Sequence, residues 1–124
     1  MSECFVYIIA TIRDGQAVAP VKVGISKSVG SRLATISTSS PAPVGLYLHF
    51  PLPQRDMAEA VERAFHQVMR RKRLNGEWFD LEPKQAKAAM MLNVGHFLSL
   101  AIGLEPSEIT ETLRDFGLYP EAEQ

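Results

Sequence analysis

Apolar and polar positions alternate through Val21-Lys22-Val23-Gly24-Ile25-Ser26, the period-2 pattern of a half-buried strand. The period then changes. Val29, Leu33 and Ile36 recur at i, i+4 and i+7, which predicts a short helix. Ser26 or Ser28 can open it, because a hydroxyl accepts from the free N–H groups of a first helical turn. Upstream, residues 5–12 are a run of β-branched and aromatic side chains, a first strand, followed by the turn signal Asp14-Gly15. With the second strand beginning after Pro20, the two predict an antiparallel hairpin with a loose loop. Downstream, residues 37–43 are rich in Ser and Pro and read as a loop. Residues 44–50 form a third apolar strand, closed by Pro51 and Pro53.

The second half of the chain is mostly helical in pattern. Asp56 caps a helix whose apolar stripe is Met57, Val61, Ala64, Phe65 and Val68. It runs into Arg70-Arg71-Lys72-Arg73 and stops at Asn75-Gly76. Glu77-Trp78-Phe79-Asp80-Leu81 is short, aromatic and extended. Two further helices open alike, with Pro83 and Pro106 at the first helical position. The first runs to about residue 100 and is apolar on much of its circumference; the second ends at Gly117, an αL cap, and the tail after Pro120 is polar and frayed. These elements predict an α+β fold, a small, mainly antiparallel three-stranded sheet flanked by helices. Residues 5–81 form the core, residues 82–117 two extra C-terminal helices, and residues 118–124 a tail.

Composition narrows the class without naming a function. At 124 residues the chain fits one domain with a real core. No apolar run approaches the roughly 18 residues that a spanning helix needs, and the N-terminus carries no secretion signal. The one cysteine, Cys4, excludes an intramolecular disulfide and a cysteine metal cluster, so a reducing cytoplasm is the expected location. A net charge of −1 excludes a protein that coats nucleic acid by bulk charge, while leaving room for a local basic patch.

Candidate chemistry lies at the change of period. Lys22 sits mid-strand and Arg32 one turn into the next helix, so both can face one concave region. Two cations on rigid elements suit a phosphate, and the planar fork of Arg suits it especially. On the next helix, Glu62 lies at the border of the apolar stripe with His66 one turn on; a carboxylate and an imidazole at i, i+4 can share a metal or bond each other. Lys22, Lys27 and the run Arg70, Arg71, Lys72 and Arg73 are the candidate contacts to a nucleic-acid backbone. His49, His96 and the Met90-Met91 pair read as structural, and Trp78 and Phe79 as core rather than base-stacking surfaces.

In this order and spacing, Phe5-Val6-Tyr7, Lys22-Val23-Gly24, Arg32, Glu62 and Glu77-Trp78-Phe79 resemble the GIY-YIG nuclease superfamily, in its compact stand-alone branch with Lys-Ile/Val-Gly as second motif. The resemblance covers residues 5–81. It implies an endonuclease that hydrolyses DNA phosphodiesters with one Mg²⁺ or Mn²⁺, RNA being the other possible substrate; a separate reading, outside the resemblance, uses the two C-terminal helices as the face of a homodimer. Implied catalytic residues are Tyr7, Lys22, Arg32 and Glu62, with Glu62 on the metal and His66 its possible companion. Their convergence requires the helices of Arg32 and Glu62 to border the same sheet face. The chain departs from the pattern at Phe5-Val6, in place of Gly-Ile, and at Lys22, in place of the second tyrosine. Lys22 then acts either as a base, with its pKa lowered, or as a phosphate contact. The alternative reading keeps the scaffold without the chemistry, as a nucleic-acid- or protein-binding module.

Overall fold

A computed structural model describes residues 3–115. The first two strands, β1 (Cys4–Arg13) and β2 (Gln16–Ser26), are joined by a tight turn. Asp14 and Gly15 both take positive φ, 54° and 76°, and Arg13 pairs directly with Gln16. That two-residue connection matches the right-handed twist of the strands it joins. The expected loose loop and late second strand are therefore corrected. Pro20 lies within β2, where the register with β1 shifts between Ala10 and Thr11; a bulge is the one interior place where a strand tolerates a residue without an N–H.

Helix α1 (Val29–Ser39) follows, then β3 (Val44–Leu52) and α2 (Arg55–Val68). Ser28 holds the N-cap position of α1 without a side-chain cap bond, while the Ser26 hydroxyl accepts from the Ser28 N–H at 3.0 Å in the turn that leads into the helix. The helix reaches Ser39, so the loop is shorter than the Ser-rich composition predicts. Gln54, not Asp56, precedes α2; Asp56 lies in its first turn, where its charge still complements the helix dipole.

The sheet has five antiparallel strands, in the order β3-β1-β2-β5-β4, instead of the expected three. The additional pair is β4 (Arg73–Asn75) and β5 (Trp78–Phe79), with Gly76 and Glu77 at the tip between them. Such short strands leave no period to read, and the Asn75-Gly76 signal that looks like a helix stop is a hairpin turn, with Gly76 at φ 58°. The basic run is thus split. Arg70–Lys72 forms a 3-10 turn and Arg73 begins β4.

Strand β1 is apolar from Cys4 to Ala10 because both of its faces are covered there. Val6, Ile8 and Ala10 join Val21, Val23 and Phe79 under α2 and α3 (Pro83–Phe97), which contribute Val61, Phe65, Ala86 and Met90. Tyr7 and Ile9 point the other way, toward Val29 and Ile36 of α1. Each large apolar side chain so buried contributes about 1.5–3 kcal/mol. Helix α3 opens as expected, with Pro83 at its first position and a reciprocal cap in which Gln85 accepts from the Glu82 N–H at 3.0 Å. A π-helical turn, Leu98–Ile102, leads to α4 (Pro106–Asp115), which packs on α3. The expected end at Gly117 and the tail lie outside the described residues.

Candidate functional site

The register of the sheet sets Tyr7 between Gly24 of β2 and His49 of β3. A Cβ on Gly24 would stand 2.6 Å from the Tyr7 hydroxyl and 2.7 Å from Oε1 of Glu77. Real Cβ atoms do not approach so closely, so the glycine of Lys22-Val23-Gly24 is required by what lies over it. Tyr7 is wholly buried. Its hydroxyl accepts a long hydrogen bond, 3.5 Å, from Nη1 of the exposed Arg32 on α1. Burial pushes the Tyr7 phenol above its ordinary range, Glu77 adds to this, and Arg32 opposes it. Near neutral pH the group is therefore a phenol, not a phenolate.

Lys22 pairs in register with Ile9 and Trp78 and projects on the same sheet face. Its ammonium lies 3.4 Å from Oε1 of Glu77 and 5.7 Å from the centre of the Trp78 ring. Glu77 in turn is fixed by the turn that carries it. Its carbonyl oxygen accepts from the Val23 N–H at 3.0 Å, and Arg73 Nε donates to the carbonyl of Gly76 at 2.7 Å.

Glu62 comes from the opposite side. Helix α2 packs on the face remote from α1, which corrects the expectation that the two helices border one face. The convergence is achieved differently, around the β2 edge. Glu77 stands at the tip of the β4–β5 turn, so one of its neighbours is Lys22 and another is Glu62, with which it lines one cleft. Burial, then the charge of Glu77, push the Glu62 carboxyl up from 4.5 to about 7, so Glu62 holds its proton more tightly than a free carboxyl. Glu62 is also close enough to raise the Tyr7 phenol further. Together with Glu59, Arg63 and His66, the two acids line an open cleft.

His66 lies beside this pair but is engaged elsewhere. Its Nε2 is 3.1 Å from the Val23 carbonyl oxygen and 3.9 Å from Oε2 of Glu62. A carbonyl oxygen only accepts, so Nε2 carries the proton and only Nδ1 could ligate. The ring packs edge-on to Phe79 at 4.9 Å. Lys27 is exposed between β2 and α1, and Arg70, Arg71 and Lys72 are exposed on their turn, with Arg70 donating to the Gln67 carbonyl at 2.9 Å. Phe79 is core, as expected, whereas Trp78 is only half-buried.

The structure thus links Tyr7, Arg32, Lys22 and Glu62 through Glu77, to which the sequence pattern gives a place but no role. The signal available was a carboxylate directly after Asn75-Gly76, at the tip of a turn beside two aromatic residues. Among the described residues no group of three or more His, Cys, Asp or Glu is arranged to hold a metal. The chemistry of the pair nevertheless fits a hard cation. Mg²⁺ is usually held by one or two carboxylates with waters completing the shell, and Glu62 and Glu77 face one open cleft with room for them.

A family model described as the T5orf172 domain matches residues 4–93. The chain belongs to the T5orf172 domain family. That places it among nuclease-like or DNA-binding modules. The T5orf172 match runs past residue 81 into α3, whose Ala86, Ala89 and Met90 fill the core beneath the sheet. No curated protein and no solved structure matches the chain. No helix among the described residues of this T5orf172 domain is long and apolar enough to cross a membrane.

Proposed function

We propose that this T5orf172 domain is a metal-dependent endonuclease of the GIY-YIG type, hydrolysing DNA phosphodiester bonds. The observation that carries this reading is the position of Glu77, which draws Lys22 from one sheet face and Glu62 from the other into a single site beside Tyr7 and Arg32. Glu62 and Glu77 would hold Mg²⁺ or Mn²⁺, the ion displacing the proton that Glu62 otherwise retains. When bound, such an ion supplies a Lewis acid for the phosphodiester.

Hydrolysis forms one P–O bond to water and breaks another, and negative charge gathers on phosphorus oxygens in between. Arg32, exposed and aimed by its bond to Tyr7, is the group that meets this charge; a pre-placed donor of this kind is worth about 3–4 kcal/mol of barrier. Tyr7, buried beneath it, is a positioning residue for the guanidinium. Lys22, paired with Glu77 and lying by Trp78, is best read as a phosphate contact rather than a base.

Supercoiled plasmid incubated with Mg²⁺ or Mn²⁺ tests the reading. Nicking by the wild type, lost in Glu62→Ala and in Glu77→Ala, is the expected result. The burial of Tyr7 and the lysine at the second tyrosine position favour one rival, a DNA-binding module without activity. Retarded mobility of DNA with no nicking under either metal would establish that rival.

A further inference from the structure

A second cleft, of about 430 Å³, opens on the α1 side of the sheet. Its lining includes Arg13, Lys22, Ile36, Ser39, Ser40 and Trp78. This volume is in the range of small-ligand pockets and far too small for a duplex. The wall chemistry is mixed: the Trp78 indole with a few small apolar side chains, hydroxyls that include those at the end of α1, and two cations. Trp78 is half-buried, so part of its indole faces the cleft, and the Lys22 ammonium lies 5.7 Å from its ring. Arg13 and Ser39 are exposed at the mouth.

The cleft is joined to the candidate active site by Lys22, which lines it and also touches Glu77 at 3.4 Å. It is joined a second time by α1. Arg32 stands at the reacting end of that helix and Ser39 at the cleft end, a rise of about 10 Å. A nucleotide bound in the cleft would therefore have its backbone running past Lys22 toward the reacting phosphate.

Resting on the nuclease reading for the identity of its ligand, we infer that this cleft receives one unpaired nucleobase next to the scissile phosphodiester, stacked on Trp78, with Arg13 and Lys22 holding the flanking phosphates. The substrate class is then DNA that is single-stranded, or locally opened, at the cut. A base paired inside a duplex is stacked on both sides and cannot present its face to an indole; an unpaired one can, and stacking accepts any base.

Trp78 is the only tryptophan in the chain, so its emission reports on the cleft directly. The experiment titrates the whole protein, in EDTA, with a short dye-labelled single-stranded oligonucleotide and with a blunt duplex of the same sequence. Dye anisotropy reads binding and tryptophan emission reads occupancy of the cleft. The expected result is quenching of Trp78 in step with single-strand binding, at concentrations at least about tenfold below those needed for the duplex. Arg13→Glu, an exposed change that leaves the reporter in place, should shift the midpoint upward by about tenfold. Ala42→Phe, at the lip of the cleft, should abolish the quenching. Single-strand binding with unchanged emission, equal response to the duplex, or no binding at all would each overturn the inference. Because no metal or cleavage is involved, quenching without plasmid nicking would remove the nuclease reading and leave the cleft standing, whereas nicking without quenching would do the reverse.

Discussion

The two faces of the sheet share strand β1 but follow different rules. Under α2 and α3, Val6, Ile8 and Ala10 pack into the larger apolar layer, whose buried members are all hydrophobic and which is in that sense the dry face. Under α1, Tyr7 and Ile9 lie in a thinner layer that ends in Lys22, Trp78 and Arg32. Because side chains alternate along a strand, one ten-residue segment supplies both layers. Residues on the first face should register in stability and those on the second in activity. Glu62 is the exception that sharpens the contrast, since it grows from a helix of the dry face and reaches the other side only through Glu77.

The largest expected effect tests the dry face. Phe65→Ala removes a fully buried ring that packs edge-on to Phe79 at 5.4 Å, and should destabilise the fold by about 3–5 kcal/mol in a denaturant titration. A loss below about 1 kcal/mol would mean that this layer is not the stabilising one. Arg32→Ala, on the opposite face, should lower plasmid cleavage by about 10²–10³-fold while changing stability by no more than about 0.5 kcal/mol. Equal cleavage by mutant and wild type would reduce Arg32 to a surface residue.

Gly24→Ala should do some of both, because its Cβ would meet the Tyr7 hydroxyl and Glu77 at once. A cost of about 1–3 kcal/mol is expected, together with loss of cleavage, as the rigid Tyr7 ring has nowhere to retreat. Full activity in this variant would show that the site tolerates movement of Tyr7.

A smaller effect follows from Glu62. Its carboxyl titrates at about 7 in the folded protein against an ordinary 4.5, so between these values the folded state holds more protons than the unfolded state. Stability must then fall as pH rises through that window, by on the order of 1–2 kcal/mol once screening at the half-exposed Glu77 is allowed for. Glu62→Gln should flatten this slope and leave the protein more stable than wild type at pH 7.5. If the acids hold an ion, Mg²⁺ should raise the wild-type melting temperature at pH 7.5 and lose that effect at pH 5. A pH-independent midpoint would contradict the raised Glu62 carboxyl. Smallest of all, Lys22→Met should cost less than about 1 kcal/mol, since its ion pair with Glu77 is partly solvated, while lowering the salt slope of DNA binding by about one. A salt slope equal to that of the wild type would leave Lys22 without a phosphate partner.

Much of this contrast was legible in the chain. An apolar run at residues 5–12, interrupted only by Thr11, is what a strand covered on both faces must have, and the switch from Val21-Val23-Ile25 to Val29-Leu33-Ile36 located β2 and α1. Pro83 and Pro106 marked the starts of two helices because a first-turn N–H is not missed there. The extended piece at residues 77–81 was legible and contains β5, but β4 and its pairing were hidden because a ribbon that short is held by backbone bonds and by the burial of Phe79, neither of which leaves a period. Glu77 was hidden for the same reason. Its importance comes from standing where two sheet faces meet, and that position exists only once the ribbon has closed on β2. The side on which α2 packs was likewise beyond a helical wheel, which finds the apolar stripe of a helix but not the surface it covers.

The ribbon also has a kinetic meaning. Strand β5 is joined to β2 at only two register positions, Val21 with Phe79 and Lys22 with Trp78, plus the Val23 N–H bond to Glu77. The β1–β2 ladder pairs nine positions. Segments with so few protected amides open in small excursions that never reach global unfolding. In hydrogen exchange, the Val23 amide should therefore lose its protection well before the amides shared by β1 and β2. Each such opening would carry Glu77 and Trp78 away together, dissolving the junction between the two faces while the hydrophobic layers stay intact.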